Sequence, residues 1–270
     1  MDHIPNYALR RTRTKHNFTI GPSAELWIYV IVLGLTEIVS DIIAPLIGIW
    51  LHAILAAVIV YRATTEKDAA RRQFLWVLAI LPLVRIVSFA ISSKTLPGVW
   101  YYVLAETPLL GAALTAKQVF QLSWRDVGMV WPKKWALVTV TVVTSPFLGL
   151  LESRLIHPGA LIPRLTWGQA LLPSILLIVF TGLSEELLFR GLLQHYSIPL
   201  LHYWRGILYV ALAWSLLHIG WHSGLDVVFV FTVGLAWGWI REKTGSIVPT
   251  ILGHGLANIV LFLIVPFVVK

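Results

Sequence analysis

Residues 26–61 read LWIYVIVLGLTEIVSDIIAPLIGIWLHAILAAVIVY, a run broken by two acids, Glu37 and Asp41, and by one histidine, His52. A helix of about 20 apolar residues spans a bilayer, because lipid offers no partner for an open backbone N–H or C=O. The run is too long for one span. Proline disfavours helix in the residue before it and disrupts the ladder behind it, so the chain is expected to fold back near Asp41–Pro45, as two spans or as a re-entrant hairpin.

Further apolar runs follow at 74–91, 99–116, 135–151, 170–196, 207–221, 225–240 and 247–269. The chain is 57% hydrophobic and only 13% charged, where a soluble domain carries about 25% charged residues. The fold class that follows is all-α, a polytopic transmembrane helical bundle of eight or nine helices. There is no cysteine, which excludes disulfides and thiolate chemistry. The net charge of +8 gathers between the apolar runs, as membrane orientation requires, and does not call for nucleic acid. Residues 1–22 form a polar lead with Arg10, Arg11, Arg13 and Lys15. No cleavable signal peptide is expected there, since the lead has no apolar stretch. With that tail inside, the basic stretches 62–72, 117–134, 190–205 and 241–243 all fall on its side. The expected organisation is a cytoplasmic tail at 1–22, N-terminal transmembrane helices at 23–165 and a C-terminal catalytic core at 166–270, within one integral membrane domain.

Ionisable residues inside spans are costly, and each is a functional candidate. In the first half these are Glu37, Asp41, Arg85 and Glu106, all read as polar glue. Glu37 and Asp41 are expected on one helix face, and Arg85 and Glu106, in consecutive helices, as a structural pair. The second half is more ordered. Glu185 and Glu186 are adjacent, Arg190 follows Glu186 by four, His218 lies in the next span, and His254 and Asn258 lie four apart in the last. Adjacent helix positions diverge by about 100° while positions four apart nearly eclipse. Arg190 therefore reaches back to Glu186 and holds it as a structural ion pair. Glu185 points to another helix and is free to act as a base. Two carboxylates side by side in a low dielectric cannot both stay charged cheaply, which separates their roles. His254 and Asn258 share a face and can both donate to a developing oxyanion. A carboxylate, two histidines and an amide converging in a bundle suffice for water-mediated acyl hydrolysis.

These residues resemble the CPBP (CAAX protease and bacteriocin-processing, Abi-type) family of intramembrane glutamic endopeptidases. The EExxxR motif is matched by Glu185-Glu186-Leu187-Leu188-Phe189-Arg190, the aromatic-xxx-His motif by Trp214 to His218, and the His-xxx-Asn motif by His254 to Asn258. The family usually has Phe where Trp214 stands, a departure read as one of packing. Thr244-Gly245-Ser246, before the last helix, is also of the family's style. The resemblance implies that Glu185 activates a water with help from His218, that His254 and Asn258 stabilise the oxyanion, and that Glu186 with Arg190 orients the site. It implies no metal and no cofactor. The implied partners are the lipid bilayer and a membrane protein or a lipidated or leader peptide, and the implied location is a multi-pass membrane site, the plasma (inner) membrane in a prokaryote, with the N-terminus cytoplasmic. Three other readings stand beside it. One is a zinc peptidase, since zinc accepts His and Glu, although HExxH is absent. Another is a non-catalytic immunity or scaffold protein. The third is a transporter, disfavoured by the lack of repeats. The pair Gly234 and Gly238 serves internal packing, a dimer or a substrate helix.

Overall fold

A computed structural model describes residues 22–91, 96 and 98–268. The basic tail lies, up to residue 21, outside the described residues. Among them there are nine helices and no strand: α1 (Ser23–Ile43), α2 (Pro45–Thr65), α3 (Ala69–Ala90), α4 (Val99–Val119), α5 (Trp135–Ile156), α6 (Trp167–Leu201), α7 (Tyr203–Leu216), α8 (Gly224–Thr244) and α9 (Val248–Val268). The chain is an all-α, multi-pass membrane protein. Seven of these helices are long and apolar enough to cross a bilayer. The two others are α4, which carries Glu106, Pro108 and Lys117, and α7, with 14 residues.

The fold-back after α1 falls at Ala44, extended between Ile43 and Pro45, and Pro45 opens α2 where its missing N–H is harmless. Arg190 does not belong to a basic loop: α6 continues to Leu201 and buries it completely.

Contacts between helices sort the bundle into two ends. At one end Glu25 of α1 accepts from Arg62 at 2.7 Å and from Arg71. The loop 120–134 docks there on the turn between α8 and α9. Ile247 N donates to Gly128 O at 2.8 Å, and Arg241 Nη2 donates to Asp126 O at 3.2 Å. The Thr244-Gly245-Ser246 stretch makes this turn: Gly245 takes the left-handed conformation that closes α8, and Ser246 Oγ donates to Val130 O at 2.5 Å. The hydroxyl and amide of Ser123 hold the Asp126 carboxyl below the usual carboxylate range.

At the opposite end Arg85 of α3 meets Glu37 and Asp41 of α1, and Leu161 N donates to Phe262 O at 3.2 Å. The expected Arg85–Glu106 pair is not formed. Arg85 Nε and Nη2 serve Glu37 and Asp41 at 2.7–2.9 Å, and Glu106 turns towards α6. The physical reason is depth: Glu37 is fully buried and needs a charged donor, which the long Arg85 side chain supplies from α3.

The short helix α7 follows α1 in the same direction through this depth. Tyr209 Oη donates to Leu26 O at 3.0 Å, Leu216 packs on Gly34, and Gly220 sits on Asp41. Gly234 lies against Ala211 and Trp214, and Gly238 against Ile207 and Gln194, so this small-residue pair packs α8 on α6 and α7. Gly149 of α5 meets the backbone of α9, where a Cβ would lie 2.2 Å from Ala257 O. Small residues permit such approach where lipid supplies no hydrophobic drive.

Two outcomes follow from these contacts. Arg85→Met leaves Glu37 buried without a cation and is expected to lower stability by about 3–5 kcal/mol, while Glu37→Gln in the same chain restores much of it; thermal unfolding in detergent reads both. Gly149→Val forces α5 from α9 and is expected to lower the unfolding temperature more than Gly159→Val, since Gly159 has open space around it.

Candidate active site

The site begins in α6, which is not a uniform α-helix. Wide π turns at Ile178–Leu183 and Leu187–Leu193 flank the single α turn Ser184–Glu186. Such turns free carbonyls from the helical ladder and recur at functional sites. Thr181 Oγ1 and Ser184 Oγ donate to the carbonyls of Leu177 and Phe180 four residues back, which supports the altered winding.

Glu186 and Arg190 are both fully buried, with Arg190 Nη1 donating to Glu186 Oε1 at 2.8 Å. The guanidinium carbon lies over two indoles, 4.1 Å from the Trp214 ring centre and 5.7 Å from that of Trp237. His254 Nδ1 approaches the same carboxylate oxygen at 3.4 Å, an electrostatic contact without hydrogen-bond geometry.

Glu185 turns away from this pair. Its Oε2 accepts from Trp214 Nε1 at 2.6 Å, and no protein donor among the described residues reaches its Oε1. His218 was expected within a span but lies in the turn that follows α7, with Nδ1 3.2 Å from Trp214 O. A carbonyl only accepts, so Nδ1 carries the hydrogen and Nε2 keeps its lone pair. Trp214 thus orients both groups, Glu185 through its indole and His218 through its main chain. Asn258 of α9 donates from Nδ2 to Thr181 Oγ1 at 2.9 Å, which leaves one amide hydrogen and the carbonyl uncommitted.

Glu185, His218, His254 and Asn258 line one cavity of about 790 Å³. Glu186 and Arg190 stand behind its wall. Among the described residues no group of three His, Asp or Glu side chains is arranged to hold a metal ion.

Residues 167–260 match the family model for type II CAAX prenyl endopeptidases, Rce1-like. Residues 167–260 are a CPBP-family domain. No curated protein and no solved structure matches the chain. The CPBP domain contains all six residues singled out from the sequence, and its family is one of membrane endopeptidases.

Two lining residues outside the CPBP domain escaped the sequence reading. Glu106 of α4 has Oε2 3.3 Å from Ser184 Oγ and faces the cavity with Glu185. As an acid inside an apolar run it was a visible candidate, but it was assigned to Arg85. Glu152 of α5 also lines the cavity. It fell one residue past the estimated end of its run, where helix boundaries are least certain. Trp214 was read as packing, and its N–H was the signal passed over, since a buried indole N–H finds a partner.

Trp214→Phe keeps an aromatic face for Arg190 and removes the donor to Glu185. The expected result is a loss of about 1.5–3 kcal/mol in thermal stability and a displaced carboxylate stretching band in infrared difference spectra, the same band that Glu185→Gln deletes.

Proposed function

We propose that this chain is an intramembrane endopeptidase that hydrolyses a peptide bond near the terminus of a membrane-associated protein or peptide, with Glu185 as the base for water. The observation that carries this reading is the convergence of Glu185, His218, His254 and Asn258, from two helices and the turn after a third, on one cavity inside an apolar bundle. The family of the CPBP domain supports the reaction class.

The chemistry follows from the groups. Glu185 Oε1, left open by the indole on Oε2, takes a proton from a water held between it and His218 Nε2. The hydroxide attacks the scissile carbonyl carbon. The carbonyl oxygen becomes an oxyanion facing the His254 imidazole and the free amide hydrogen of Asn258, both on α9. Such donors act strongly in a low-dielectric site, because their orientation is fixed before charge develops. The proton held by Glu185 passes to the leaving amine as the C–N bond breaks, which restores the carboxylate. Glu186 keeps its charge on Arg190 and takes no proton in the cycle. The step uses no metal and no cofactor.

The cavity supports this reading over a non-catalytic role, because a scaffold needs no open carboxylate and histidine on a shared cavity. Glu185→Gln and His218→Ala are expected to lower cleavage by roughly 10²–10⁴-fold while insertion and unfolding temperature stay near wild type, and chelators leave cleavage unchanged. Comparative terminal proteomics of membranes carrying wild type or Glu185→Gln reads the outcome. A new terminus found only with wild type identifies activity and substrate together; equal termini with both would sink the glutamic mechanism.

A further inference from the structure

The cavity reaches only one end of the bundle. The segments between these helices that line it are Leu96 and Gly98 before α4, Pro158 to Leu161 after α5, and Leu217, His218, Gly220 and Trp221 after α7. All belong to the end marked by Arg85, Asp41 and the Leu161–Phe262 contact. The helical lining follows the same gradient. Ser88 and Phe89 come from the last turn of α3, Tyr101 and Tyr102 from the first turn of α4, and Glu152 from the last turns of α5. No lining residue comes from 62–72, 120–134 or 241–247. Gly159 and Ala160 are exposed, so the cavity meets the surface beside them. The other end is closed. Val127 and Ile247 are fully buried where the loop 120–134 seats on the α8–α9 turn.

Loop charge gives these ends a side. The closed end carries Arg62, Lys67, Arg71 and Arg72, then Lys117, Arg125, Lys133 and Lys134, then Arg205, Arg241 and Lys243. Among the described residues the open end carries Arg154 and Arg164, and by sequence Lys94 adds one between α3 and α4. Lys and Arg in short loops stay cytoplasmic. The N-terminus precedes α1 at the closed, basic end, in agreement with a cytoplasmic tail.

We infer that the cavity opens on the extracytoplasmic face and that the substrate is a polypeptide segment presented from that side, either an exported chain or the outward end of a membrane-spanning helix. The inference rests on the proteolytic reading for the word substrate, and on topology alone for the side. A lipidated C-terminus held at the cytoplasmic face meets the packed basic end and has no path to Glu185. The charge of the wall agrees. Asp41, Glu106, Glu152 and Glu185 line the cavity, and Arg85, the one Lys or Arg among the lining residues, is committed to Glu37 and Asp41. A free chain-terminal carboxylate meets like charge there, whereas a segment that continues past the cavity brings none.

The absence of native cysteine makes the side directly testable. Single cysteines are placed at Gly159, where an added Cβ meets nothing, and at Lys67 in the basic loop. A membrane-impermeant maleimide is applied to right-side-out and to inverted vesicles. Gly159→Cys is expected to label only in right-side-out vesicles and Lys67→Cys only in inverted ones; the reverse pattern overturns the inference. In a second arm, a bulky impermeant maleimide on Gly159→Cys in right-side-out vesicles slows formation of the terminus that Glu185→Gln abolishes, relative to the same variant unlabelled. Unchanged cleavage after full labelling overturns access from this side. If labelling follows expectation but Glu185→Gln leaves every terminus intact, the proteolytic reading fails and the sidedness stands.

Discussion

A charge inside a lipid-facing bundle must be met there, because no water reaches it from the side. Two arginines of this chain meet that constraint. Arg190 is held between Glu186 and the faces of Trp214 and Trp237. Arg85 is held between Glu37 and Asp41. Each arginine joins two helices or two turns, so each pair fixes position as well as charge. Three carboxylates without a cation of their own, Glu106, Glu152 and Glu185, face the large cavity. Glu186 with Arg190 stands behind the wall, Arg85 and Asp41 line the cavity as a pair, and three carboxylates line it without a cation.

Bringing α9 to that wall takes a second device. Its polar residues His254 and Asn258 reach α6 because glycines let backbones touch. Gly182 of α6 lies against Ile251 and Gly255, Gly255 lies against Ile178, and Gly149 of α5 lies against Ala257. In lipid, apolar side chains gain little by leaving one another's company, so close van der Waals contact carries helix association. The Thr181–Asn258 hydrogen bond crosses this tight seam at 2.9 Å. Its geometry depends on the π turn that contains Thr181 and on the glycines that flank it.

Much of this was legible in the chain. The fold-back at Pro45, the helical class and the Glu186–Arg190 pair follow from run length, proline chemistry and four-residue spacing. What sequence could not supply were relations between helices that no spacing encodes. Three acids lay within reach of Arg85 on plausible topologies, and the choice of Glu37 and Asp41 over Glu106 is one such relation. Trp214 looked like packing because its polar atom is one edge of a large apolar ring, and its partner is 29 residues away on another helix. Glu152 was lost to a boundary error of one residue. The π turns in α6 leave no mark in hydrophobic periodicity over so short a span, so regular helix geometry gave the right Glu186 contact for a helix that is locally not regular.

The two halves of the chain meet in the cavity with unequal parts. The CPBP domain supplies Glu185, His218, His254 and Asn258. The preceding helices supply Asp41, Arg85, Glu106 and Glu152, together with the segments around Leu96 and Pro158 that border the opening. On the proposed reading, the first set carries bond cleavage and the second shapes what can lie across it. The reacting groups are locked by contacts within α6, α7 and α9, which the N-terminal helices do not interrupt. Glu106 is the exception, since it touches Ser184 directly beside Glu185. On the proposed reading, that contact sets an acid of the N-terminal half next to the proposed base.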